Sequence, residues 1–367
     1  MKKQLQRLVE QWNQLATHWK VALAVGIVIM LITPLAMCTR SETADTIPQI
    51  EEPEEIEVVE PVEEEPEEVE EEPKEPNYRA PLTYEGMDRP VNKRPYAVLI
   101  ENSPQARPQS GLDKADIVYE VLAEGSITRF IAIYQSQFPE SIGPIRSARK
   151  YMLDIAGYYD AVIVHAGGSP GALEQIRRQQ LPSLSEIING AYFKRESFRR
   201  APHNVYSNVE LLDKGVEARN YRQTYNLPEI PFALDKEIRG EDVTEVLIPY
   251  SSTYQVKYRY SDLTGNYHRF INNMAHTDLV TNQQLQATNV FIVFARHSVM
   301  DNEGRLNINL ESSGRGYALQ QGTVQEVTWR HEGGVVRYYV GGQEIERLPG
   351  NTWVQIVPDI VAVSIQQ

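Results

Sequence analysis

GPIRSARKY, residues 143–151, sets Arg146, Arg149 and Lys150 within five positions of one another, just after a Gly-Pro that reads as a helix start. A helix N-terminus already carries positive partial charge, so arginines in its first turn cost about 0.3–1 kcal/mol each unless an anion joins them. Spaced i and i+3, Arg146 and Arg149 would leave the helix on one face, beside free amides that bind anions readily. The chemistry on offer is recognition of a phosphate, a phosphodiester or a carboxylate. A solvated basic rim is the plainer use of the same charges.

Three further segments of the same stretch offer matching chemistry. VIVHAGGSPGALEQI (162–176) runs an apolar strand into His165, then Gly167 and Gly168, then Ser169 as an N-cap with Pro170 at the first helical position. FRRAPHNVY (198–206) supplies Arg199, Arg200, His203 and Asn204. A neighbouring His and Asn can donate to an oxyanion, and His165 or His203 could serve as a catalytic acid–base. In ADIVYEVLAEGSITRFIAIY (115–134), a turn centred on Glu124 and Gly125 would put Glu120 directly opposite Arg129, on the face of Val118, Leu122, Ile127 and Ile131. Such a pair is either a partly buried salt bridge or an anion ligand, Arg129, oriented by Glu120. Neither His165 nor His203 has a partner at metal-ligand spacing, so no metal is expected. The glycines lack Walker spacing, so no cofactor is expected.

The elements that must position these residues change character along the chain. YAVLI (96–100), ADIVYEVLA (115–123), ITRFIAIY (127–134) and AVIVHA (161–166) predict strands, while SARKYMLDIAGYYD (147–160) and PGALEQIRRQQ (170–180) predict helices. That order implies an α/β sheet domain whose loops gather at the carboxyl ends of its strands. After the proline-marked stretch 225–237, TYQVKYRY, ATNVFIVFARHSV, RLNINLE, TVQEVTWRH, VVRYYVGGQEI and TWVQIVP predict a mostly-β second domain.

The formal charge of −14 has one local source. From Glu42 to Glu75 stand seventeen acidic residues and a single base, Lys74, whereas the first forty residues carry five bases and one acid. Residues from 76 onward are therefore nearly neutral, which argues against a nucleic-acid partner. Val21–Met37 is a run of seventeen residues without a charge, at the short end of what spans a bilayer. Bases before it and acids after it orient the N-terminus to the cytoplasm and export the rest, so the membrane is the first expected partner. Leu5, Leu8, Trp12, Leu15 and Trp19 make a stripe suited to an interfacial helix. The one cysteine, Cys38, excludes an internal disulfide and is the candidate for lipidation. LAMC (35–38) comes close to a lipobox, but Met37 stands where a small residue belongs and the leading segment is long, so an uncleaved signal anchor is preferred. The expected organisation is a cytoplasmic amphipathic segment (1–20), a transmembrane signal anchor or lipoprotein signal (21–38), a disordered Glu/Pro-rich linker (39–76), an α/β domain (77–228) and a β-rich domain (229–367).

RPYAVLIENSPQARPQSGLDKADIVYEVLAEGSITRFIAIYQSQFPESIGPIRSARKYMLDIAGYYDAVIVHAGGSP and RRAPHNVY resemble the N-terminal domain of the YerB family of bacterial lipoproteins. DLVTNQQLQATNVFIVF, SSGRGYALQQGTVQEVTW and LPGNTWVQIVPD are similar to that family's C-terminal domain. The resemblance runs from about Arg94 to Asp359 and implies the two-domain architecture and an envelope location, but no reaction, because the family's function is unknown. The expected function is a membrane-tethered extracytoplasmic binding or regulatory protein of the bacterial cell envelope. Its α/β domain would hold an anionic envelope ligand and its β-rich domain would meet an envelope protein partner. The alternative is an envelope hydrolase or transferase acting on an anionic glycopolymer or phosphodiester, with His165 or His203 as acid–base and the arginines on the charged group.

Overall fold

The computed structural model describes residues 76–234 and 236–367; the apolar run 21–37, Cys38 and the acidic tract lie outside the described residues. Among the described residues no helix is long and apolar enough to cross a membrane.

The N-terminal part is α/β. Its strands are Tyr96–Glu101 (β1), Ile117–Leu122 (β2), Thr128–Tyr134 (β3), Val162–His165 (β4) and Ser183–Ser185 (β5). Its helices are Lys150–Tyr158 (α1), Pro170–Gln179 (α2) and Val209–Ala218 (α3). The start of α2 follows the sequence signal, since Ser169 Oγ accepts from the Ala172 amide and Pro170 takes the first helical position. The C-terminal part is mostly β: Glu245–Pro249 (β6), Gln255–Ser261 (β7), Asn266–Ile271 (β8), Asn289–Ala295 (β9), Ser313–Gln320 (β10), Thr323–Glu332 (β11), Val335–Val340 (β12), Thr352–Pro358 (β13) and Ser364–Gln366 (β14).

The two parts share one sheet. Its main strands run β12-β11-β10-β9-β13-β2-β3-β1-β4-β5, and β13, near the end of the chain, lies parallel to both β9 and β2. Runs such as YAVLIE in β1 are buried at every position because both faces of this sheet are covered. On one face Met152, Ile155 and Ala156 of α1 pack with Leu99, Ile131, Ile133 and Ile356. On the other, β6, β7, β8 and β14 form a second, antiparallel sheet, whose Val246, Val256, Tyr258 and Tyr267 share a core with Val98, Val118, Phe130 and Trp353.

Two local expectations are corrected. The β2–β3 hairpin is one residue out of the expected register, with Glu120 paired to Phe130 and Val121 to Arg129. Its loop, Glu124–Ser126, is centred on Gly125, and both Gly125 (φ 64°) and Ser126 (φ 61°) occupy the left-handed region. A slip of one residue turns a side chain to the other face, so Glu120 and Arg129 point to opposite sides of the sheet. Nor does Pro144 begin a helix. Residues 142–148 are extended and their backbone is already bonded: Ile142 with Ser207, Gly143 with Ser110, the Ile145 amide with the Val205 carbonyl and the Arg146 amide with that of Leu99. The carbonyls of Gly143, Pro144 and Arg146 are taken as well, by the amides of Ser110, Glu101 and Ala166, so they cannot accept the bonds of a helical turn. The helix waits until Lys150, leaving Arg146 outside it and Arg149 as its N-cap residue.

Candidate functional site

Glu101 ends β1, and its side chain leaves on the face that α1 covers, directly opposite Arg129 of β3. It is only 4% exposed, and a carboxylate so enclosed requires partners. Ser103 Oγ donates to its Oε1 at 3.0 Å, and His203 Nδ1 donates to its Oε2 at 2.8 Å. Arg146 Nε lies 3.1 Å from the same Oε2 but off the line of a hydrogen bond, so that contact is an ion pair. A carboxylate can only accept, which places a proton on His203 Nδ1. Nε2 is then a base when the ring is neutral and a donor when it is charged. Neither Nε2 nor the terminal nitrogens of Arg146 has a protein hydrogen-bond partner among the described residues, and the two side chains are 22% and 28% exposed.

A second carboxylate lies beside this centre. Both oxygens of Glu124 receive the fork of Arg149, through Nε and Nη2, and one of them is 3.7 Å from Arg129. Arg129 also donates Nη1 to the Ser147 carbonyl at 2.9 Å. Burial, with Arg149 alongside, pulls the Arg129 guanidinium down to about 10, so it stays charged at neutral pH. Burial pushes the Glu124 carboxyl up, but its bonds to Arg149 and the charge of Arg129 outweigh that and hold it below its ordinary value. Arg129, Arg146 and Arg149 thus face two carboxylates, and the local balance is positive.

The remaining candidates go elsewhere. Ser169 spends its hydroxyl on the α2 cap and its amide on the Ala148 carbonyl. Asn204 accepts from Arg195 at 3.0 Å, next to the Arg195–Glu186 ion pair. His165 is buried, with Nδ1 2.6 Å from the Gly167 carbonyl and Nε2 2.7 Å from Ser183 Oγ, and burial lowers its pKa. A neutral ring with both nitrogens engaged has no capacity left for acid–base work. Arg199 is held by the carbonyls of Gln105 and Pro108.

Glu120 finds a different arginine. Its Oε2 is 2.7 Å from Nη2 of Arg269 on β8, and both side chains are completely buried between the two sheets. Asn102, Thr128 and Tyr254 donate to Glu120 Oε1. Arg269 donates to the Tyr258 hydroxyl at 2.8 Å and to His276 Nδ1 at 3.0 Å, and its guanidinium lies 4.7 Å from the centre of the Trp353 ring. Burial, reinforced by Arg269, keeps His276 neutral. Its Nε2 donates to Gln109, which donates in turn to the Glu101 carbonyl.

The model of the N-terminal domain of DUF3048, a protein of unknown function, matches residues 82–222, and that of its C-terminal domain matches residues 246–354. The protein named "Putative lipoprotein YerB" of Bacillus subtilis (strain 168) is 38% identical over 294 residues, which are 79% of this chain and 89% of that protein. The chain belongs to the YerB family. The crystal structure of YerB from Bacillus subtilis has the same fold, with a TM-score of 0.73 at 37% identity, covering 78% of this chain and 99% of that one. In this YerB-like chain Glu101, Arg146 and His203 fall within the N-terminal match, whereas Glu120 and Arg269 tie the N-terminal match to the C-terminal one.

Glu101 and Arg269 did not stand out in the sequence, and Glu124 did so only as a turn residue. For Glu101 a signal was present: an acid closing the apolar strand YAVLIE, in the position that drew attention to His165 at the end of VIVH. Nothing local marks Arg269, which sits among alternating strand residues.

Proposed function

We propose that this YerB-family chain is a tethered, extracytoplasmic protein of the bacterial cell envelope that binds an anionic group through Arg146 and His203. The observation that carries this is Glu101, a nearly sealed carboxylate that holds a guanidinium and an imidazole from separate segments while their outer nitrogens stay open. A phosphate or carboxylate meeting the Arg146 fork and the imidazolium would form charge-assisted hydrogen bonds. Arg129 and Arg149, their forks engaged, contribute positive potential rather than contacts.

Inorganic phosphate should raise the melting temperature of the full chain, by the equivalent of about 2.7 kcal/mol at a hundred times its Kd. Arg146→Gln with His203→Gln, which keeps donors toward Glu101 but removes the positive charge, should lose that shift. Equal stabilisation of wild type and double variant would overturn the assignment.

The tether is supported by the charge asymmetry around residues 21–37 and by the relative's name. Met37 favours a signal anchor, while that name favours lipid on Cys38. Incorporation of a fatty-acid probe that Cys38→Ser abolishes would establish the lipid anchor; an unlabelled wild type whose Cys38→Ser variant stays with the membrane would establish the signal anchor.

A second reading rests on the 2.8 Å Glu101–His203 contact, which resembles the carboxylate–histidine half of a hydrolytic site. With the ring neutral, Nε2 could take a proton from water attacking the phosphorus of an envelope phosphodiester and, as imidazolium, return it to the alcohol oxygen that departs as its P–O bond breaks, with Arg146 on the charged group. The two readings need opposite protonation states, because anion binding weakens as the imidazole loses its second proton and base catalysis gains. Turnover of a glycerol-phosphate polymer that rises with pH and disappears in His203→Gln would favour the enzyme.

A further inference from the structure

Away from the Glu101 centre, a cleft of about 690 Å³ opens between α1 and α2 on one side and the hairpin of His297–Val299 and Leu306–Ile308 on the other. Its size suits a ligand of two to four sugar rings, within the roughly 300–1,000 Å³ of small-molecule sites. Helical periodicity builds the first wall, with Lys150, Asp154 and Tyr158 recurring at four-residue steps on α1. The second wall comes from α2, whose Gly171 faces Lys150 so closely that an added Cβ would lie 3.3 Å from Lys150 Cδ. The hairpin side presents Asn307 and Asn309, two residues apart and exposed.

The charges lining this cleft cancel, with Lys150, Arg178 and Arg296 set against Asp154, Glu174 and Glu311. Neither an anion nor a cation is favoured, and what remains is a set of neutral amides and hydroxyls: Gln175, Asn307, Asn309, Ser298 and Tyr158. Gln175 Nε2 donates to Asp154 Oδ1 at 2.8 Å, bracing the two helices and leaving Oδ2 to accept from elsewhere. Tyr158 is 6% exposed, and its buried hydroxyl has no hydrogen-bond partner among the described residues. A buried hydroxyl left unpaired is unfavourable, and a small turn of the Tyr158 ring toward the cleft it lines would give it a partner there. Ile308, Leu310 and the ring of Tyr151 add apolar surface to the same lining.

We propose that this cleft binds an uncharged glycan, a sugar chain bearing hydroxyl and acetamido groups. Closely spaced donors and acceptors without net charge match a run of sugar hydroxyls, and the apolar lining suits the C–H faces of pyranose rings. The two helical walls have spent their backbone donors and acceptors internally, so a peptide could pair only along the outer edge of the hairpin.

The test uses the full chain in detergent, with chitotetraose as the glycan probe and tetra-alanine as the peptide probe, measured by calorimetry. Chitotetraose should bind saturably at one site; Tyr158→Phe, which removes a single oxygen, should weaken it about tenfold, and Asn307→Ala several-fold. Tyr158→Phe should leave the phosphate-dependent melting shift intact, separating this site from the one at Glu101. No saturable binding of chitotetraose, binding that both variants leave unchanged, or binding of tetra-alanine in its place would each overturn the proposal.

Discussion

Glu120 on β2 and Glu101 on β1 stand on opposite faces of one sheet, and each holds an arginine brought from another segment. Around Glu120 the account closes within the protein: Arg269, Asn102, Thr128, Tyr254 and His276 complete one another, and neither charge reaches water. Around Glu101 it stays open, since Arg146 and His203 turn one side to the carboxylate and the other to solvent. The same pairing of carboxylate and guanidinium therefore serves two ends. The sealed pair joins the second sheet to the first, and the open one leaves its outer nitrogens facing solvent. A buried ion pair adds little net stability over an apolar substitute, but losing one member is costly, so the sealed centre should be the sensitive one.

The largest effect is expected there. Arg269→Met leaves Glu120 buried and unpaired and should cost about 3–5 kcal/mol in urea unfolding, and adding Glu120→Leu should recover much of it. A single variant losing less than about 1 kcal/mol would mean that water reaches the pair, and the contrast with Glu101 would fail.

An intermediate effect is expected at Glu124, which is partly screened. Glu124→Gln should lower stability at neutral pH by about 1 kcal/mol, since Arg149 and Arg129 lose their counter-charge. The folded pKa of Glu124 lies below its ordinary 4.5, so its stabilisation is fully present above that value and is lost as pH falls through the folded one. Melting temperatures between pH 7 and pH 3 should therefore fall more steeply for wild type than for Glu124→Gln. Parallel curves would show that the clamp contributes nothing.

The smallest effect on stability is expected at the open centre. His203→Gln keeps a donor for Glu101 and should change ligand-free stability by less than about 1 kcal/mol, while weakening the response to phosphate. A loss as large as that of Arg269→Met would recast His203 as a structural residue and erase the distinction between the two centres.

Much of the fold was legible. The strands expected at 96–100, 127–134 and 161–166 and the helix at 170–180 were found within a residue or so at each end, because apolar β-branched runs and a Ser-Pro cap are local signals. The two failures have different causes, one distant in the chain and one local. A helix from Pro144 was reasonable until the carbonyls of Gly143, Pro144 and Arg146 met the amides of Ser110, Glu101 and Ala166. The hairpin register turned on a single loop residue at Gly125. Of the site, Arg146 and His203 were visible as types that bind anions, whereas Glu101, which joins them, read as one more residue closing a strand.

By itself the sequence determined most of the longer strands and helices, the change from α/β to β along the chain, and which segments are rich in arginine and histidine. Only the tertiary structure decided that β13 inserts beside β2, that Arg269 rather than Arg129 answers Glu120, and that one carboxylate joins Arg146 to His203. Periodicity and capping act between residues a few positions apart and leave their mark in the chain. The pairing of buried charges is set by which distant segments pack together, and a carboxylate withdrawn from water accepts whichever donors that packing delivers.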